Sequence, residues 1–163
     1  MKTLVLLRHA KSSWEDESLD DFDRPLNTRG RNDAKGMGQI AEELLGSPDL
    51  LLLSPALRTR QTADLFWRQQ PPTQLDQALY LAPWETLLDL IQQQPDHIDR
   101  LWLLGHNPGL TELTHRLLPD LSLNNLPTAG LVAIQYPITQ WAEAIYVKGV
   151  LKAFERPKKY RIK

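Results

Sequence analysis

The sequence predicts an α/β fold: a three-layer α/β/α sandwich with a mainly parallel central sheet. Short continuous apolar runs at residues 3–7, 50–53 and 101–104 read as strands buried on both faces, because half-exposed strands would alternate. Between them lie segments with apolar residues at helical spacing, and strands that alternate with helices build a parallel sheet covered on both sides. A length of 163 residues suits one domain with its own core, so residues 1–163 are read as a single unit.

The elements follow in order. After the first strand, residues 11–23 are polar and acidic. Asn27 then caps a helix whose apolar positions are Ala34, Met37, Ala41, Leu44 and Leu45, ended by Gly46-Ser47-Pro48. Leu50 to Leu53 form the second strand. Ser54-Pro55 supplies an N-cap and a proline at the first helical position, for a helix running to about Arg68 before Pro71-Pro72. A further helix is expected over 83–94 with Leu87, Leu88 and Ile91 inward. The third strand ends in Gly105-His106-Asn107-Pro108-Gly109, after which Leu110, Leu113, Thr114 and Leu117 repeat as a helix face. Residues 131–136 and 142–147 read as an antiparallel pair at the sheet edge. The last stretch, 152–163, has six basic residues against the single acid Glu155 and reads as a solvated tail.

Composition narrows the function. The formal net charge of −1 gives no global attraction to nucleic acid or to an anionic membrane. Absence of cysteine excludes thiol catalysis, disulfides and thiolate metal sites. The apolar run before Arg8 is too short for a signal-peptide core, and no run approaches the roughly 18 residues of a membrane helix. A cytoplasmic protein is expected, with neither nucleic acid nor membrane as partner.

Three strand ends deliver chemistry to one sheet edge: Arg8-His9-Ala10, Ser54 with Arg58 one turn into its helix, and His106. In open α/β sheets ligands bind at the carboxyl ends of the strands. Two guanidiniums and two imidazoles there describe a phosphoryl pocket, since arginine offers a fixed charge and a planar fork matched to phosphate oxygens. Helix N-termini add backbone N–H groups and a positive dipole end. A neutral imidazole can attack phosphorus while the cations hold the equatorial oxygens, so a two-step transfer through a phosphohistidine follows, with no metal or cofactor.

The ordered set Leu-Leu-Arg-His-Ala, then Ser54 to Ala63 (Ser-Pro-Ala-Leu-Arg-Thr-Arg-Gln-Thr-Ala), then Gly105-His106-Asn107 resembles the histidine phosphatase superfamily, also called phosphoglycerate-mutase-like. It is most similar to the small SixA-type phosphohistidine phosphatases. Asp21-Phe22-Asp23-Arg24-Pro25-Leu26-Asn27-Thr28-Arg29-Gly30 and Leu126-Pro127-Thr128-Ala129-Gly130 extend the resemblance over most of the chain. It implies His9 as the phosphorylated nucleophile and Arg8, Arg58 and His106 as catalytic, substrate-binding residues, with His106 donating to a phosphate oxygen. Neighbouring cations favour the neutral, attacking form of His9.

Larger members carry glycine after the Arg-His pair and an asparagine further along that loop. Ala10 and Glu15 stand there, and Glu15 is expected to face solvent. Mutase-like relatives also use a carboxylic acid to protonate an alkoxide leaving group. By position the candidate is Glu85, which a first-turn helix glutamate explains equally well. An enzyme without that acid still works on a leaving group such as imidazole, which favours protein phosphohistidine over sugar phosphates. Lys11 is read as solvated beside the rim, and Asp21, Asp23 and Arg24 as an ion-paired entry to the first helix. His97 and His115 are read as structural or surface residues, and a metal set of His9, His106 and His115 lacks ligand spacing. The expected function is a phosphatase for protein phosphohistidine. The alternatives are a phosphomonoesterase for a small phosphorylated metabolite and a phosphate-binding module without turnover.

Overall fold

The computed structural model describes residues 1–161. In chain order the elements are β1 (Lys2–Arg8), α1 (Thr28–Leu45), β2 (Leu50–Leu53), α2 (Leu57–Phe66), β3 (Thr73–Leu75), α3 (Trp84–Gln92), β4 (Arg100–Gly105), α4 (Gly109–Leu117), β5 (Leu131–Tyr136), β6 (Val150–Glu155) and α5 (Pro157–Tyr160). The sheet order is β3-β2-β4-β1-β5-β6. β3, β2, β4 and β1 are mutually parallel, while β5 runs antiparallel to β1 and β6 antiparallel to β5. The sheet is therefore mixed and mainly parallel.

Successive side chains of a strand point to opposite faces, and the apolar runs need an apolar layer on each. Leu4 and Leu6 pack with Leu87 and Ile91 of α3 and Leu110 and Leu113 of α4. Val5 and Leu7 pack with Met37 and Ala41 of α1 and Ala63 and Phe66 of α2. This is the α/β/α sandwich that the apolar runs predict. Each such Leu, Val, Ile, Met or Phe side chain, fully removed from water, contributes roughly 1.5–3 kcal/mol. No described helix is long and apolar enough to cross a membrane.

Residues 142–147 do not form the expected edge strand. Trp141–Glu143 is a 3-10 turn, and Trp141, Ala144 and Ile145 recur at helical spacing against the core. The buried Trp141 indole is tied to the Ile98 carbonyl at 2.8 Å. The edge strand is instead β6, which runs into the start of the segment read as a solvated tail, because its backbone pairs with β5 whatever its side chains carry. Glu155 is buried and takes Lys159 as an ion-pair partner, and Arg161 reaches Asp33 at 2.9 Å. The last two residues of the expected tail lie outside the described residues.

Two smaller expectations also change, and one strand was not anticipated. The N-cap of α2 is Ala56, two residues later than Ser54, and α2 stops at Phe66 short of Arg68. Leu44 is exposed. β3 arises within 69–80, where pairing to β2 organises a strand of only three residues.

Candidate active site

β1, β4 and β2 are adjacent and parallel, with Arg8 opposite Gly105 and Leu53 opposite Leu104. Their carboxyl ends release Arg8-His9, Ser54 and His106 side by side. The chain then leaves β1 and β2 for α1 and α2 on one face, and β4 for α4 on the other. Such a divergence opens a crevice at the strand ends.

Local bonds fix the Arg8-His9 backbone. The His9 amide donates to Gly105 O at 3.1 Å, and the Arg8 amide to Gly130 O at 3.0 Å. The Ala129 amide donates to both Arg8 O and His9 O. Ala129 has φ +57°, a left-handed conformation that turns the 126–130 segment back onto this clamp. Leu126 O accepts from Arg8 Nη1 at 3.0 Å and from Asn107 Nδ2 at 2.9 Å.

The Thr-Arg-Gln-Thr run of α2 ties the helix to the loops around it. Thr59 Oγ1 donates to Ser54 O at 2.7 Å. Gln61 Oε1 accepts from the Leu26 amide at 2.8 Å, and Thr62 Oγ1 accepts from the Ala10 amide at 3.0 Å. Ala10 is fully buried and has no positive φ, so alanine fits at the position where larger members of the resembled family carry glycine. Gly30, in the first turn of α1, lies so close to the same loop that a Cβ would sit 2.1 Å from Lys11 O.

Arg58 is the hub of the side-chain cluster. Its Nε donates to His9 Nε2 at 3.4 Å and its Nη2 to His106 Nδ1 at 3.2 Å. Its Nη1 and Nη2 also donate to Asp21 O at 2.8 Å and Asp21 Oδ2 at 3.0 Å. The His9 and His106 rings lie 5.3 Å apart. Arg8 Nε is buried and donates to no group among the described residues. These groups line a cleft of about 340 Å³ with Trp14 and Asp21 in its wall.

Tautomers follow from the partners, since a carbonyl only accepts and a guanidinium only donates. His9 Nδ1 lies 2.7 Å from Ala10 O and carries the proton, so the Nε2 lone pair faces the cleft and Arg58. His106 Nδ1 accepts from Arg58, so its proton is on Nε2, 2.7 Å from the Ser54 hydroxyl. Ser54 thus orients His106 where sequence suggests a helix cap. In this state His106 presents no N–H to a phosphate oxygen, and donation from Nδ1 requires protonation. Burial, then the charges of Arg58 and Arg8, push His9 down to about 3. Burial, then His9 and Arg58, likewise bring His106 down to about 3. Both rings are neutral at neutral pH.

The expected residues Arg8, His9, Arg58 and His106 are thus brought together. Glu85 is not: it is exposed in the first turn of α3 and is no part of the cleft wall. Glu15 is exposed, and Lys11 is exposed at the rim. His97 and His115 are exposed, the latter bonded to Leu123 O. No group of three or more histidines and carboxylates able to hold a metal occurs among the described residues.

Sequence reasoning missed Asp21 and Tyr80. Asp21 pairs with Arg58 rather than joining an entry to α1, and Tyr80 Oη donates to Asp21 Oδ2 at 2.5 Å. Arg24 is buried, donates to Ser13 O and stacks 3.7 Å from the Trp14 ring. The one sequence signal for Asp21 is its place in the 21–30 segment that resembles the family.

Residues 4–115 match the model of the histidine phosphatase superfamily (branch 1). An uncharacterized chloroplastic protein of Arabidopsis thaliana is 31% identical over 91% of this chain and 72% of its own length. Among solved structures, the protein assigned as phosphohistidine phosphatase SixA from Agrobacterium tumefaciens is 30% identical with TM-score 0.77, covering 96% of this chain and 98% of that one. The protein assigned as SixA from Nakamurella multipartitia superposes with TM-score 0.86 at 23% identity over 96% of both chains, which shows the shared fold. With Arg8-His9, Arg58 and His106 gathered at the ends of three parallel strands and a family match spanning both histidines, the chain belongs to the histidine phosphatase superfamily.

Proposed function

We propose that this protein is a metal-independent phosphatase that removes phosphoryl groups from protein phosphohistidine through a covalent phospho-His9 intermediate. The observation that carries the reading is the lone pair of His9 Nε2, facing a cleft whose other walls bring Arg8, Arg58 and His106. A phosphoryl group seated there exchanges the protein partners of Arg58 for its own oxygens and adds the Arg8 Nε donor. Attack by Nε2 forms one P–N bond as the substrate's own P–N bond breaks. Ala10 O then holds the Nδ1 proton of the phosphorylated ring. The dianion brought beside His106 favours protonation of its Nδ1, which then donates to a phosphoryl oxygen. Water in a second step returns His9.

The substrate class rests on the acid. An alkoxide needs a proton on departure, and Asp21, among the described residues the one carboxylate in the cleft wall, is held ionised by Arg58 and Tyr80. An imidazole whose second nitrogen is protonated leaves without that help. The assigned function of the Agrobacterium relative supports the same choice. The test is a comparison of kcat/KM on a phosphohistidine-bearing protein and on sugar phosphates, with and without EDTA. A preference for the former, unaffected by EDTA, is expected. Preference for sugar phosphates favours a metabolite phosphomonoesterase, and binding without turnover favours a phosphate-binding module.

A further inference from the structure

Among the described residues Asp21 is the only carboxylate in the wall of a cleft that also carries Arg8, Lys11 and Arg58. A carboxylate beside a phosphate-binding arginine repels the phosphoryl group it must admit, and its partner Arg58 turns to the phosphoryl oxygens on binding, so with substrate seated it asks for another cationic partner. Its Oδ2 is used twice, by Arg58 Nη2 at 3.0 Å and by Tyr80 Oη at 2.5 Å. Its Oδ1 accepts no hydrogen bond among the described residues. Burial opposes the charge, but the bonds from Tyr80 and Arg58 and the charges of Arg58 and Arg24 hold the carboxyl below its usual range.

Depth sets which part of a substrate it meets. His9 is only 7% exposed and forms the floor, whereas the Asp21 side chain is 44% exposed at the mouth. In an in-line displacement the leaving group departs on the side opposite the nucleophile, here outward past Asp21. We propose that Asp21 is a substrate-contacting residue whose free carboxylate oxygen receives the protonated second ring nitrogen of a phosphoimidazole leaving group. The site thereby selects phosphoryl donors whose ring bears a proton and is cationic before transfer. This rests on the phosphatase reading and deepens it.

The step balances. Before transfer the substrate ring is an imidazolium bearing a phosphoryl dianion, with its N–H on Asp21. The His9 Nε2 lone pair forms the new P–N bond, and the electron pair of the old bond returns to the leaving nitrogen. The ring departs neutral and keeps its proton, and the positive charge now lies on the phosphorylated His9 ring. No proton is moved by Asp21. The carboxylate raises the pKa of the bound ring against the opposing charges of Arg8, Lys11 and Arg58, with His9 and His106 neutral beside it and Tyr80 and Arg24 flanking Asp21.

Two probes separate this role from simple support of Arg58: phosphoimidazole, whose leaving group takes a proton on its second nitrogen, and 4-nitrophenyl phosphate, whose leaving group does not. Asp21→Asn is expected to lower the kcat/KM ratio of phosphoimidazole to 4-nitrophenyl phosphate by about tenfold or more at neutral pH, equivalent to a unit of lost pKa support. The alkaline limb of the phosphoimidazole profile moves to lower pH, with no matching shift for the aryl ester. Asp21→Glu, which keeps the charge, retains most of the ratio. Equal loss on both probes means Asp21 only positions Arg58 and overturns the proposal, as does an unchanged ratio. Failure of the wild-type protein to turn over either probe overturns the phosphatase reading instead.

Discussion

His9 Nδ1 lies 2.7 Å from the carbonyl oxygen of Ala10, the residue next to it in the chain. One backbone contact thereby sets the tautomer, aims the nucleophilic nitrogen and secures the proton that a phosphorylated ring must keep.

The first prediction concerns pH. His9 reacts only when neutral, and burial with Arg58 and Arg8 places its titration at about 3. The fraction able to attack is then complete above about pH 5, whereas an imidazole with its ordinary value near 6.5 would lose about tenfold per pH unit below that. The kcat/KM profile for 4-nitrophenyl phosphate should show no acid limb near 6.5, and ring nitrogen shifts of His9 in NMR should stay those of the neutral Nδ1–H tautomer down to about pH 5. A limb near 6.5 that vanishes when the ring is perturbed contradicts this.

Arg58 engages His9, His106 and Asp21 at once through different nitrogens. Lysine supplies one point charge and cannot reproduce that fork. Arg58→Lys should therefore lose about 10²–10³-fold in kcat, as expected for removal of a transition-state donor, with folding intact by circular dichroism.

The nucleophile's neighbourhood was legible in the chain because its parts are local. A continuous apolar run marks a central strand, and Arg8-His9 and His106 follow directly on two of them. Asp21 was not legible. It sits among Glu15, Asp16, Glu17, Asp20 and Asp23, which look like one solvated acidic face, and only the fold brings it to Arg58, 37 residues away. Ser54 was misread for a related reason, since Ser-Pro before a helix is a cap signal while its real partner, His106, lies 52 residues on. β6 escaped because Lys152 and the basic residues after it mask a strand held by backbone bonds to β5.

Gly30 tests how the loop after β1 is held. A methyl there meets Lys11 O at 2.1 Å, and backbone rather than a flexible side chain must yield. Gly30→Ala should cost about 1–3 kcal/mol, read as a lowered Tm, and should reduce kcat by displacing the loop that carries Ala10. Unchanged Tm and kcat contradict the packing.

Glu85 is exposed on α3, apart from the cleft wall. A general acid contributes roughly 10²–10⁴-fold to departure of an alkoxide, so Glu85→Gln keeping kcat/KM on a sugar phosphate within about twofold rules it out of that role. A loss of the larger size would place it at the leaving group.

The central claim is that His9 becomes phosphorylated. Rapid acid-free quenching during turnover of labelled substrate tests it most directly. The expected result is phosphate on the protein that is labile to acid and stable to base, mapped to His9 and absent from His9→Ala. Turnover with no phosphorylated protein, or label that persists in His9→Ala, would contradict it.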